Sequence, residues 1–307
     1  AKTGLVRTQG GIRQSVCPDG LRIANVGKAA DSPQRAYLAQ DTWGLDGQLL
    51  RPVTSELYRI DNSSPLIGGS ALDSILRTYE LPAASTWVRI IRANEDMSEE
   101  DQMRVERLME GLALQAAEPR ETHFAEVHAL CSDPVPFALL RQYPHGNLLG
   151  KIERHHAEVL ARWPAIWTQL REIGETLQRR HIIHHNIKPD NVLIHSWDPV
   201  ELKLGDFDQA VVLEPGTDEV VYDKIKPLPQ ISPQYGAQHM LQAGGVWPSD
   251  AADRWSLGMV GFATYTGTFP TPTTQWSEAL REAKKRLQTT ADYTALEQFL
   301  MTYCSMR

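Results

Sequence analysis

The sequence predicts an α+β protein of two lobes, a small β-rich lobe with one helix followed by a mainly helical lobe. Three observations carry this. Short β-suited runs crowd residues 57–91 and 123–143, and a single helical stretch interrupts them after Ser98. Beyond the turn "PHGN" at 144–147, apolar residues recur at helical spacing. A chain of 307 residues is long enough for both lobes and a sizeable core.

Residues 1–50 hold scattered glycines and weak periodicity, and read as an extension packed on the main body. The small lobe is expected over 51–145. Within it, "PLIGGSALDSILRTYEL" (65–81) places a glycine pair between β-suited runs, and "STWVRIIRAN" (85–94) is a short apolar strand. Ser98 is an N-cap with acidic residues in the first turn behind it, and Val105, Leu108, Met109 and Leu112 give that helix its apolar face. "HFAEVHAL" (123–130) and "PFALLRQY" (136–143) read as two further strands. The helical lobe is expected over 146–307. Ile166, Leu170, Ile173 and Leu177 form one stripe on a helix that ends just before His181, and the run from Leu257 to Tyr265 reads as a buried helix rich in small residues. The natural ligand site in such an arrangement is the crevice between the lobes.

Composition narrows the function. A net charge of −7 argues against coating nucleic acid, and no apolar run approaches the length of a membrane span. Cys17, Cys131 and Cys304 are widely spaced and odd in number, which suggests neither a disulfide framework nor a metal knuckle and favours an intracellular, cytoplasmic location. The tryptophans of the second lobe are expected in helix packing rather than in base stacking. His155 and His156 read as a solvated helix surface, the mixed charges of "SEALREAKKRL" (277–287) as an exposed face, and Leu213–Gln230 as a loop and candidate partner surface.

Four local patterns then line up. "HHNIKPDN" (184–191) is similar to the H-R-D-L-x-x-x-N catalytic loop of protein kinases, and "LKLGDFDQA" (202–210) to the strand and D-F-G that follow it. "SPQYGAQHM" (232–240) resembles the end of the activation segment, and "DRWSLGMVGFATYTGTFP" (253–270) the long buried helix after it. The chain thus resembles the protein-kinase superfamily over about residues 140–270, which implies a two-lobed protein-kinase-like fold. The resemblance implies roles residue by residue. Asp206 and Asn191 would hold Mg²⁺ on the phosphates of ATP, Lys188 would face the transferring phosphate, and Asp253 would brace the catalytic loop. It also makes His184 a structural histidine, against a metal site built from His181, His184 and His185.

The departures are as informative. Asn186 stands where the family has its aspartate base, and an amide cannot take up the substrate's proton. Losing a positioned base costs roughly 10²–10⁴ in rate. Asp208 replaces the glycine of D-F-G. In the expected phosphate loop, "GGSALDSI" (68–75), the pair Gly68 and Gly69 remains, but only Gly68 falls on one of the three glycine places; Ser70 and Asp73 take the other two. The strand lysine is missing, and either Ile91 or Arg92 falls at its place; if Arg92, then Glu106 or Glu110 is its natural partner. "AQH" (237–239) replaces A-P-E, and only residues 271–307 follow the buried helix, which reads as a shortened lobe.

These features describe a degenerate, pseudokinase-like member. It is expected to act as a scaffold or allosteric partner of another protein, with weak, magnesium-dependent nucleotide binding. Two alternatives stand beside this reading: an atypical Mg²⁺-dependent phospho- or nucleotidyl-transferase, and a structural subunit of a larger assembly, suggested by the missing initiator Met, the extension and the shortened lobe.

Overall fold

The computed structural model of the chain describes residues 98–117, 123–131, 137–271, 276–287 and 293–304, and before them the backbone of eight short strands. Internal contacts divide the chain into two compact units, residues 1–120 with 125–142, and residues 121–124 with 143–307.

In the first unit, β1 (Arg7–Thr8) pairs with β2 (Gly11–Ile12), while β3 (Arg22–Ala24), β4 (Ala36–Ala39) and β5 (Arg59–Ile60) form a three-stranded sheet. The main sheet is antiparallel and five-stranded. Its spatial order is β6 (Leu66–Ile67), β7 (Leu76–Leu81), β8 (Thr86–Ile91), β10 (Phe137–Arg141) and β9 (Val127–Cys131). Its helix, α1 (Glu99–Ala117), starts where the capping residue predicts: the Asp101 N–H donates to Ser98 Oγ at 3.1 Å. Leu108 and Leu112 are fully buried against Val127, Leu130, Ala138 and Leu140, with Val105 and Met109 packed beside them. The strand expected from His123 starts only at Val127, because Phe124 makes an isolated bridge to Leu204 in the second unit instead.

The second unit opens on the predicted turn. Gly146 N–H closes it on Tyr143 O at 3.0 Å, with Gly146 at φ +71°, a conformation that suits glycine. Asn147 then caps α2 (Leu148–Ala161), its Oδ1 accepting from Gly150 N–H at 2.9 Å. In α3 (Trp163–Arg179), Ile166, Leu170, Ile173 and Leu177 are all buried, and Trp163 stacks on Trp167 with ring centres 5.6 Å apart. There follow β11 (Ile182–Ile183), the antiparallel pair β12 (Val192–Trp197) and β13 (Val200–Leu204), and β14 (Val211–Val212), which pairs back onto β11.

Beyond them, β15 (Glu219–Val221) pairs with β16 (Val246–Pro248), with α4 (Gln238–Ala243) between. Helix α5 (Ala251–Thr266) is buried over most of its length, flanked by α6 (Trp276–Leu287) and α7 (Thr294–Tyr303). Its small residues have a steric cause. A Cβ on Gly261 would stand 2.6 Å from Trp167 and 2.8 Å from Leu296, and one on Gly258 would stand 2.5 Å from Cys304 Sγ. Close approach of α3 and α7 thus requires glycine there.

Three readings need correction. Leu213–Gln230 is more than a loop: it holds β15, and Tyr222 is fully buried with Ile183, Val220, Ala237, Met240 and Ala252. His156 is not simply solvated, since its Nε2 lies 3.1 Å from Thr264 O on α5. Helix α6 exposes Glu278, Arg281, Glu282 and Lys285, but Leu280 and Ala283 on it are buried. Among the described residues no helix is long and apolar enough to cross a membrane.

Candidate functional site

The segment after β11 is held from below by one carboxylate. Asp253, in the first turn of α5, accepts from His184 N–H through Oδ2 at 2.7 Å and from His185 N–H through Oδ1 at 2.9 Å. Two successive amides converge on one side chain because His185 adopts a left-handed conformation, φ +62°, which a non-glycine residue keeps only when its surroundings enforce it. Asp253 is only 4% exposed, and burial outweighs its two N–H donors and pushes the carboxyl up to about 7.

His184 is completely buried, and both ring nitrogens are used. Nδ1 accepts from the Asn186 N–H at 3.2 Å, so Nε2 carries the proton and donates to Gly205 O at 3.0 Å. A second proton would have to break the first bond. With burial as the main cause, this holds the imidazole down at about 4. The ring also meets Phe207 edge-on at 4.6 Å, and Phe207 in turn meets Phe124 at 4.8 Å. One neutral histidine therefore ties the 184–186 segment to the 205–207 segment.

Asn186, Asn191 and Asp206 come together above it. Pro189–Asn191 forms a single 3-10 turn that returns Asn191 toward Asn186, where its Nδ2 donates to the Asn186 carbonyl at 2.8 Å. Asp206, also left-handed at φ +62°, receives the Asn186 Nδ2 on Oδ2 at 2.8 Å, and Asn191 Nδ2 lies 3.4 Å from the same oxygen. The amide orientation of Asn186 follows from chemistry, since the opposite one would set its oxygen against a carboxylate. Lys188 Nζ pairs with Asp190 at 3.6 Å rather than with Asp206.

Sequence reasoning did not find the contacts of His185. Its Nδ1 lies 3.2 Å from Gln209 O and its Nε2 lies 3.1 Å from Tyr222 Oη, while Gln209 Oε1 accepts from Gln230 N–H at 2.8 Å. The segment after Asp206 is thus anchored to the loop through a buried histidine. No local pattern signals that contact, because Tyr222 lies in a stretch that reads as a loop. A cavity of about 220 Å³ in the second unit lies elsewhere: Leu177, Ile182, Asp253, Leu257 and Phe299 line it, and Asn186, Lys188, Asn191 and Asp206 do not.

As a test of fit to a metal, Asp206 and Asn191 offer a carboxylate and an amide, hard oxygen donors of the kind Mg²⁺ accepts when waters and phosphates complete its shell. The described residues contain no group of three His, Cys, Asp or Glu side chains that would hold an ion alone. Gly68, Gly69 and Arg92 lie outside the described residues, and β8 ends at Ile91.

The sequence model of the protein kinase domain matches residues 89–302. The chain belongs to the protein kinase family. It is similar to a Caenorhabditis elegans protein that bears the name ribosomal protein S6 kinase alpha-2, 26% identical over 75% of this chain and 30% of that one. The MAP kinase kinase kinase wis4 of Schizosaccharomyces pombe is 35% identical over 36% of this chain and 8% of its own length. The sucrose non-fermenting protein kinase 1 of Fusarium virguliforme is 24% identical over 60% and 24% respectively. The chain therefore spans less than a third of the length of these curated relatives.

Proposed function

We propose that this kinase-family chain transfers phosphate extremely slowly or not at all and works by binding, as a scaffold or as the allosteric partner of another protein. One observation carries the reading: the side chain at the base position is an amide already engaged as a donor to Asp206 at 2.8 Å. A general base must accept the hydroxyl proton in the transition state; an amide is not basic enough to take it, and the Nδ2 engaged with Asp206 is a donor with no lone pair to offer. The sequence departures in the phosphate loop and at the strand lysine support the same conclusion.

In this reading, Mg²⁺ held by Asp206 and Asn191 would neutralise phosphate charge, which is the whole of its contribution here. Lys188 would add a cation beside the phosphates once released from Asp190. With these as the only anchors, nucleotide binding is weak and needs the metal. A thermal shift tests this, because a ligand that binds only the folded state raises stability by RT ln(1 + [L]/Kd). ATP with Mg²⁺ is expected to raise the melting temperature slightly, and ATP with a chelator to leave it unchanged. A large shift that persists in chelator would overturn the metal dependence.

A second reading, an atypical Mg²⁺-dependent phospho- or nucleotidyl-transferase, is favoured by the convergence of Asn191 and Asp206 on one point. Turnover of ATP that disappears in Asp206→Ala would select it over the first.

A further inference from the structure

We propose that Asn186 is a built-in substitute for a divalent cation: its amide occupies the Asp206 carboxylate and holds the 184–191 and 205–209 segments together without metal. The proposal deepens the reading above, which places Asp206 at the metal position, yet it stands on its own geometry.

Three observations carry it. The Asn186 amide donates to Asp206 Oδ2 at 2.8 Å, and the Asn191 amide reaches the same oxygen at 3.4 Å, so two partial positive charges converge where a cation would otherwise balance the acid. Asn191 is itself fixed to the Asn186 backbone carbonyl at 2.8 Å, so the three residues form one connected cluster. The same two segments are bound again beneath it by neutral His184, from Asn186 N–H to Gly205 O. An aspartate at position 186 in the same rotamer would set a carboxylate oxygen about 3 Å from Asp206 Oδ2, a like-charge contact that a cation or a proton between the two groups would relieve. An amide of the same shape turns that repulsion into a bond. The residue that removes the base therefore also removes the need for a metal in holding the site closed. It gives a cause for weak metal binding as well, since an incoming cation must first displace the Asn186 amide from Asp206.

Asn186 is on this account a positioning residue, and its signature is how melting responds to metal without any nucleotide. Wild type, Asn186→Asp and Asn186→Ala are compared by thermal melting in chelator and in millimolar Mn²⁺ or Mg²⁺. In chelator, Asn186→Asp is expected to melt roughly 3–6 °C below wild type, as loss of a charge-assisted hydrogen bond implies for a chain of this size. The divalent ion is expected to restore most of that gap while leaving wild type unmoved. Asn186→Ala, which deletes the bond without adding charge, is expected to melt lower than wild type and to recover less with metal than Asn186→Asp.

A merely structural role would lower melting in both variants with no rescue by metal. Equal melting of wild type and Asn186→Asp in chelator overturns the proposal, and so does a shift of wild type by metal alone as large as that of the variant. If Asn186→Asp does not fold in either condition, Asn186→Ala decides: a lower melting point that the divalent ion partly restores supports the proposal, and melting equal to wild type in chelator, or lowered with no restoration by metal, overturns it. Because no nucleotide is present, failure here leaves the nucleotide-binding reading to its own test.

Discussion

Removing the Asp253 carboxylate should destabilise the chain by an amount that depends on pH in a defined direction. The carboxylate accepts two buried amides, His184 N–H at 2.7 Å and His185 N–H at 2.9 Å. Each buried donor left without a partner costs about 1–3 kcal/mol, so Asp253→Ala should lose about 2–6 kcal/mol, and Asp253→Asn, which keeps one oxygen, about half of that. Against this stands the cost of burying the charge. The carboxyl titrates at 3.8 in the unfolded chain and at about 7 in the fold. Between those values the folded state keeps a proton that the unfolded state has lost, so wild type loses about 1.4 kcal/mol of stability per pH unit on rising through that window. Neither variant carries this penalty. The deficit of Asp253→Ala should therefore shrink by roughly 3 kcal/mol between pH 5 and pH 8. Urea unfolding, followed by the fluorescence of buried Trp163 and Trp167, measures it at both pH values. A deficit below 1 kcal/mol at pH 5 would show that the carboxylate does not support the loop amides. A deficit that stays constant from pH 5 to pH 8 would show that Asp253 is ionised throughout.

Two further outcomes follow from the same geometry. His184 is neutral in the fold and held down at about 4, whereas an unfolded histidine protonates near 6.5, so its contribution is complete above 6.5 and lost as pH falls toward 4. Between pH 7 and 4.5, His184→Gln should lose about 3 kcal/mol less than wild type in urea unfolding, and equal acid sensitivity would refute this. Gly261→Ala would push a methyl group against Trp167 and Leu296 at 2.6–2.8 Å, at a cost of about 1–3 kcal/mol, and should melt several degrees lower, while an unchanged melting temperature would show that α3 and α7 can move apart.

Much of the site's framework was legible because it rests on local patterns. The stripe from Ile166 to Leu177 has helical spacing, Ser98 carries its own cap, Asn191 and Asp206 stand in motifs whose order implies that they meet, and Asp253 stands in one that implies it braces the loop. What was not legible depends on contacts between residues distant in sequence. The direction of the Asn186 amide is set by the left-handed backbone of Asp206, twenty positions on. Strand β15 and the Tyr222 that follows it look like loop because β16, the partner of β15, lies beyond α4. His156 reads as a surface residue until α5 is placed beside it. In each case the local sequence is compatible with two environments, and only tertiary packing selects one.

The proposed lack of effective phosphotransfer in this kinase-family chain is measured directly by transfer of the γ-phosphate from ATP with Mg²⁺ to general protein substrates. Wild type, Asp206→Ala and Asn186→Asp are compared under identical conditions. Wild type should give no signal above Asp206→Ala, and Asn186→Asp should not restore the normal rate, because on the proposed reading Ser70, Asp73 and the missing strand lysine would still leave the phosphates without their cradle. Clear turnover by wild type that vanishes in Asp206→Ala would contradict the claim.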